Sequence, residues 1–327
     1  MSAGVPVFGA KEVELAVPPE AAVEAVRAAF IAHYRGEWTM PPKVYVTNYP
    51  AGDFRAMPAL GGGHALLKWV TSFPGNPARG LPTVSGLVLL SNAETGALEA
   101  IFDAGAVTAL RTGAAAVLAA EVLGRPDATS AAVVGAGVNG RAAARTFLAR
   151  GRDVSLWDLD VDRTRRVADE LGATAATSLE EALASEIVVT VTPGHEVLLG
   201  DGSLGPGQHV SLMGADGPGK AEIAATELGR GRAPGDFPGE SGRVRLFCDE
   251  WEQASHSGDL SNAVEAGLIG REDVTQLGAV LCREADGRGS SGDITIFDST
   301  GLAIQDLAIA TACLARSEAV DLPHISV

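Results

Sequence analysis

The sequence predicts an α/β protein: a Rossmann-type doubly wound parallel sheet plus an α+β domain with antiparallel strands. Three observations carry this expectation. From Ala128 onward apolar strand-like runs alternate with helix-like runs, the rhythm of a parallel sheet covered on both faces. Before residue 125 short β-like runs follow one another too closely for parallel crossovers, which need about a dozen residues or more. Just past that change stands Gly135-x-Gly137-x-x-Gly140, directly after an apolar run and directly before a helical one. The expected spans are 1–124 for the first domain, 125–300 for the Rossmann domain and 301–327 for a helix returning to the first domain.

In chain order, Val23, Val26, Phe30 and Ile31 have helical spacing within 21–36. The β-like runs KVYVTNY, DFRAMPAL, HALLKWVTSF, PTVSGLVLLS and GALEAIFDA follow, separated by the turn signals PAGD, PGNPARG and NAETG. AGAVTALRTGAAAVLAAEVLG is Ala-rich and carries Arg111 near its middle, so it reads as a packed core helix and no membrane span is expected. In the second domain AAVVGAG, DVSLWDLD, EIVVTVT, HVSLMG and RLFCD read as strands, and RAAARTFLARG, DRTRRVADELG and SLEEALA as helices. ITIFDSTGLAIQDLAIATACLARSEA is a strand, a turn and a helix too apolar to lie alone on a surface, which predicts that it packs on the first domain.

Composition narrows the function. A net charge of −16 over 327 residues argues against nucleic acid, which needs a basic stripe. MSAGVPVFGAKEVEL has no basic segment followed by an apolar one, and Cys248, Cys282 and Cys313 are isolated, so a cytoplasmic protein with reduced thiols is expected. The six His show no metal-ligand spacing and no GxSxG elbow occurs, so no metal site is expected; His195 reads as a loop histidine.

The Gly-rich motif has the chemistry of a dinucleotide turn. Gly135 permits the turn, Gly137 lets backbone approach a pyrophosphate, and Gly140 allows close helix–strand packing. Asp158, about 20 residues on, is placed to accept from a ribose 2′-hydroxyl, which favours NAD. Arg163 and Arg165 nearby keep NADP possible. GADGPGKA (214–221) has the spacing of a triphosphate loop, but Ala221 stands where a Mg²⁺-binding hydroxyl belongs. Following a late strand of the same sheet, it is expected to reach the nicotinamide end and to bring Asp216 and Lys220 toward a substrate.

The first domain supplies four cations, Lys43, Arg55, Lys68 and Arg111, the last two inside apolar runs where an unpaired charge is costly. Together they suggest a pocket for a carboxylate; a buried ion pair or a snorkelling stem is the competing account of each.

The ordered motifs MPPKVYV, GDFRAMPA, LKWV, PGNPARGLPTV, ALRTGAA, VGAGVNG, GADGPGKAE and DITIFDSTGLAIQD make the chain resemble, over nearly its whole length, the ornithine cyclodeaminase/μ-crystallin family and its archaeal-type alanine dehydrogenases. The resemblance implies a substrate-binding and dimerisation domain, a Rossmann domain and a homodimer acting on a small amino-acid or imino-acid substrate. It implies that Lys43, Lys68 and Arg111 hold the substrate carboxylate, with Thr300 and Arg55 at the same pocket. Asp216 becomes the polar catalytic residue, and Lys68 serves as acid/base or carboxylate anchor. Thr83, Thr112, Val138, Asn139, Asp158, Thr192, Lys220 and Ser299 contact the cofactor, beside Gly135, Gly137 and Gly140. Family cyclodeaminases carry Glu before the Met-Pro, whereas this chain has Arg55, which would repel the second ammonium of ornithine and fits the alanine dehydrogenase pattern. The expected reaction is NAD-dependent oxidation of L-alanine to pyruvate and ammonia. The alternatives are a ketimine or pyrroline-2-carboxylate reductase, an ornithine cyclodeaminase, or a crystallin-like nucleotide- and ligand-binding protein.

Overall fold

A computed structural model describes residues 4–194, 196–215, 217, 219–230 and 243–326. The chain opens with β1 (Val5–Phe8), α1 (Ala10–Ala16) and α2 (Pro19–Tyr34). β2 (Val44–Asn48), β3 (Gly52–Gly61), β4 (His64–Ser72), β5 (Val84–Asn92) and β6 (Leu98–Asp103) then lead into α3 (Ala104–Leu123). Next come β7 (Ser130–Val134), α4 (Val138–Ala149), β8 (Asp153–Trp157), α5 (Val161–Leu171), β9 (Thr174–Ala175), α6 (Leu179–Leu183), β10 (Ile187–Thr190) and β11 (His209–Leu212). α7 (Ala225–Gly229), β12 (Val244–Cys248), α8 (Trp251–Ser257), α9 (Leu260–Glu265), β13 (Val274–Gln276) and α10 (Leu277–Leu281) follow. The last elements are β14 (Ile294–Asp298), α11 (Ala303–Leu314) and β15 (His324–Ile325). Contacts divide the chain into unit 1, Met1–Arg111 with Leu302–Val327, and unit 2, Thr112–Gly301.

Unit 1 is a mixed sheet in the order β15-β1-β6-β5-β4-β3-β2. β2 to β6 pair antiparallel, as their short connections require. β1, a short run that the sequence did not announce, joins β6 in parallel because α1 and α2 supply the long crossover that this pairing needs. Alternation separates two faces. One buries Arg55, Met57, Leu66, Lys68, Val70 and Val88, and α11 packs on this sheet and on α2. The other exposes Val44, Val46, Leu67, Trp69 and Leu87, with the Trp69 ring stacked on Phe54 at 5.8 Å between centroids. α2 starts with Pro19 at its first turn and buries Val23, Val26 and Phe30. Burial of each such side chain contributes about 1.5–3 kcal/mol. α3 is long and apolar enough to cross a membrane by length and composition, yet most of it is buried inside the protein.

Unit 2 is an all-parallel sheet in the order β13-β12-β14-β11-β10-β7-β8-β9. Its central strands are buried along their whole length, Ile187–Thr190 and His209–Leu212 among them, so their apolar runs do not alternate. From β7 the chain winds to β8 and β9 on one side, then crosses back to β10 on the other. The switch point of the sheet therefore lies between β7 and β10, with loops 135–137 and 191–194 at its carboxyl edge. α4 sits so close to this turn that a Cβ on Gly140 would lie 1.7 Å from the Gly135 carbonyl oxygen. α5 has a complete pair of caps: the Asp160 side chain accepts from Arg163 N at 2.9 Å, and Gly172 closes it at φ 71°.

Gly140→Ala must push α4 off the turn. We expect a loss of about 1–3 kcal/mol, the usual cost of overpacking, read as a lower denaturation midpoint with an unchanged m-value. An unshifted midpoint would show that the helix–turn contact is not tight.

Candidate functional site

Unit 2 builds an open Gly-rich turn from local chain geometry. β7 ends at Val134, and Gly137 is the N-cap of α4 with no side chain spent on the free helix N–H groups. A Cβ at Gly137 would meet nothing within 4 Å, so the turn is open where an anion would approach the helix N-terminus. Asp158, just past β8, accepts from Ala136 N at 2.8 Å through Oδ2 and from Asp160 N at 2.9 Å through Oδ1. Its carboxylate is thereby pinned to the Gly-rich turn with lone pairs remaining, and Arg163 Nη1 lies 3.4 Å away. Val138 is exposed and Asn139 half-buried at the start of α4. These residues fit a dinucleotide: N–H donors for the pyrophosphate and a fixed acceptor for the ribose.

Further along the carboxyl edge, buried carboxylates hold the loops. Glu222, fully buried, accepts from Thr192 N (2.8 Å) and Thr192 Oγ1 (2.6 Å) through Oε1. Through Oε2 it accepts from Thr190 Oγ1 (2.7 Å) and Gly214 N (2.9 Å). Asp259 Oδ1 accepts from Glu222 N at 2.5 Å and Ile223 N at 3.3 Å, and Asp298 accepts from Leu260 N at 3.0 Å. Asp249 holds the loop after β14, accepting from Ser299 Oγ (3.3 Å), Thr300 Oγ1 (3.0 Å) and Gly301 N (2.9 Å). Burial pushes the Asp259 carboxyl up to about 7, helped by the Glu222 charge. Burial and the Asp259 charge hold Asp298 well above the usual carboxylate range.

Unit 1 gathers the cations. Lys68, buried on β4, gives its Nζ to Asp306 Oδ1 on α11 at 3.0 Å, and Asp306 is itself fully buried. Arg111 Nε lies 3.8 Å from the same Asp306 oxygen, and its Nη1 lies 3.4 Å from Gln305 Oε1. Burial lowers the Lys68 pKa, Asp306 opposes that shift, and the Arg111 and Arg55 charges add to it. The Arg111 Nε, Gln305 Nε2 and Asp306 Oδ2 atoms are buried with no hydrogen-bond partner among the described residues. Arg55 is engaged within its own strand: Nε donates to Asp53 Oδ1 at 2.6 Å, and its guanidinium lies 5.4 Å from the Tyr45 ring centroid. The buried ion pair weighed as the alternative reading of Lys68 is thus present, alongside a local excess of positive charge.

The remaining expected residues fall as follows. Lys43 stands half-buried just before β2, and Thr83 just before β5. The Thr112 hydroxyl is buried with no partner among the described residues. Lys220 is half-buried, its carbonyl accepting from Asn262 Nδ2 at 3.3 Å. Asp216 and His195 lie outside the described residues. Among the described residues no group of three His, Cys, Asp or Glu is arranged to hold a metal. His209 is fully buried between the Thr295 and Ser211 hydroxyls, and burial lowers its pKa to about 3. Sequence reasoning missed the partners of its own residues: Glu222 for Thr192, Asp249 for Ser299 and Thr300, Asp306 for Lys68. Glu222 and Asp306 close two of the motifs quoted above, and an acid next to a Gly-rich or apolar segment was the available signal.

A family model described as ornithine cyclodeaminase/mu-crystallin matches residues 7–320. The alanine dehydrogenase of Archaeoglobus fulgidus is 39% identical over 308 residues, covering 92% of this chain and 91% of that protein. The iminosuccinate reductase of Paracoccus denitrificans is 32% identical over 321 residues, covering 94% of each. A solved archaeal alanine dehydrogenase dimer with bound NAD superposes with a TM-score of 0.87 at 36% identity, covering 99% of both chains.

Two stability predictions follow from the buried charges. Asp306→Asn leaves the Lys68 and Arg111 cations without their counter-ion and is expected to cost about 3 kcal/mol or more at pH 7. Because the variant's Lys68 pKa falls further, the unfolded chain binds more protons, so that loss shrinks as pH rises toward 10; a pH-independent loss would contradict it. Asp259 has the opposite sign. Its carboxyl titrates near 3.8 unfolded and about 7 folded, so folding takes up a proton and stability declines as pH rises between those values. Chemical denaturation should show Asp259→Asn flattening that decline.

Proposed function

The chain belongs to the ornithine cyclodeaminase/mu-crystallin family, and we propose that within it the protein is an NAD-dependent dehydrogenase of a small L-amino acid. L-alanine, converted reversibly to pyruvate and ammonia, is its substrate. The observation that carries this reading is the cation cluster of Lys68 and Arg111 on Asp306, with Arg55 rather than an acid on the neighbouring strand. Such a cluster suits a monocarboxylate and offers nothing to the second ammonium of a diamino acid. The identity with the Archaeoglobus alanine dehydrogenase supports the choice.

In this reading unit 1 is the substrate-binding and dimerisation domain and unit 2 the cofactor domain. Gly135, Gly137, Val138, Asn139 and Gly140 hold the pyrophosphate of NAD and Asp158 its ribose, while Thr83, Thr112, Thr192, Lys220 and Ser299 contact the cofactor further along. When bound, NAD supplies the acceptor for the Cα hydride. Lys43, Lys68 and Arg111 hold the substrate carboxylate, and Thr300 and Arg55 border it. Lys68, its ammonium destabilised by burial, is the proton donor and acceptor whose pKa is drawn toward the working range. Asp216 takes the proton from the amine or from the water that adds to the imine carbon. Arg163 beside Asp158 leaves NADP usable. The apolar face of Val44, Val46, Leu67, Trp69 and Leu87 supports a homodimer, since exposed patches of this kind mark interfaces. Free cysteines support a reducing, cytoplasmic setting.

A second reading, reduction of a preformed imino acid, is supported by the Paracoccus iminosuccinate reductase and uses the same residues in reverse. Pyruvate with ammonia, iminosuccinate and pyrroline-2-carboxylate, each assayed with NADH and NADPH, separate the two. We expect pyruvate with ammonia and NADH to give the highest kcat/KM, and Asp216→Ala and Lys68→Met each to lose at least about 100-fold, the scale of general acid–base catalysis. Turnover of only a cyclic or dicarboxylic imine would overturn the alanine reading.

A further inference from the structure

The Glu222 carboxylate lies at the carboxyl edge of the parallel sheet and bonds the ends of the neighbouring strands β10 and β11 at once. Each of its oxygens receives one hydroxyl and one backbone N–H: Thr192 supplies both for Oε1, Thr190 and Gly214 for Oε2. Position 214 is built around it. A Cβ there would lie 2.5 Å from Glu222 Cδ and 2.4 Å from the Thr192 carbonyl oxygen, so only glycine lets the two loops close on the carboxylate. Asp259 in turn fixes the Glu222 backbone from α9's N-terminal side.

The place of these loops gives the clamp its consequence. Asp158 at the end of β8 marks the adenosine side of the switch point, so the other half of a dinucleotide runs over the ends of β10 and β11. Those ends carry Thr192 and Gly214. We propose that Glu222 is a positioning residue for the nicotinamide half of the cofactor, fixing Thr192 and Gly214 as one edge. This rests on the dinucleotide reading above.

Glu222→Gln tests it with little change of shape. Because each oxygen receives a backbone N–H, an amide nitrogen in either place opposes an N–H donor, and one side of the clamp opens. The probes are NADH, followed by fluorescence, and ADP-ribose, which lacks the nicotinamide. We expect NADH to bind about 10- to 100-fold more weakly, as for a lost buried hydrogen-bond pair, with ADP-ribose affinity within about twofold of wild type. Thr192→Val, which keeps the N–H and removes only the hydroxyl, should show the same selective loss at about three- to tenfold, and serves if Glu222→Gln does not fold. Equal weakening of NADH and ADP-ribose would mean that Glu222 only holds unit 2 together, and unchanged NADH binding would mean that the clamp does not set the cofactor; either overturns the proposal. A wild type that binds ADP-ribose but neither NADH nor NADPH overturns it as well. Binding of none of the three sinks the dinucleotide reading itself and the proposal with it.

Discussion

A parallel sheet leaves the backbone at its carboxyl edge without strand partners, and here buried carboxylates take up those donors. Among the described residues, Glu222, Asp249, Asp259 and Asp298 accept hydrogen bonds from the backbone N–H groups of Thr192, Gly214, Glu222, Ile223, Glu250, Leu260 and Gly301. Removing a carboxylate from water costs several kcal/mol, and charge-assisted bonds to fixed N–H groups are among the few interactions strong enough to offset it. Glu222 meets that condition with four bonds. Asp259 and Asp298 each leave one oxygen without a partner among the described residues, and a retained proton is what their raised carboxyls imply. The loops that carry Thr192, Gly214, Ser299 and Thr300 are therefore held by buried carboxylates.

Unit 1 meets the same problem with the opposite sign. Lys68 is forced inward by the alternation of β4, since Leu66, Lys68 and Val70 share the face on which α11 packs. Only a carboxylate delivered by that helix makes such burial tolerable, and Asp306 provides it across 238 positions of sequence. One Asp beside Lys68 and Arg111 does not neutralise both cations. A surplus of positive charge is therefore gathered around the buried Asp306.

Much of this was legible in the chain. The switch from short strands to strand–helix alternation identified the sheet types because it follows from connection length alone. The Gly135–Gly140 turn and Asp158 were readable because spacing, strand and helix all lie within about 25 consecutive residues of a βαβ unit. β1 was missed because four residues carry too little pattern, and its parallel partner β6 lies some 90 residues away. For Arg55 a carboxylate pocket and a buried ion pair were both open, and the partner was not named, although β3's two-residue period places Asp53 on the same face.

By itself, the sequence determined the periodicities, the connection lengths and the local Gly-rich turn, since each of these is settled between near neighbours. The pairing of charges was decided only in three dimensions. Lys68 with Asp306, and Thr192 with Glu222, meet through strand register and helix packing, and no spacing rule relates positions so far apart. Burial makes those pairings obligatory, because a charge out of water must find its partner among whatever the fold brings within about 3 Å.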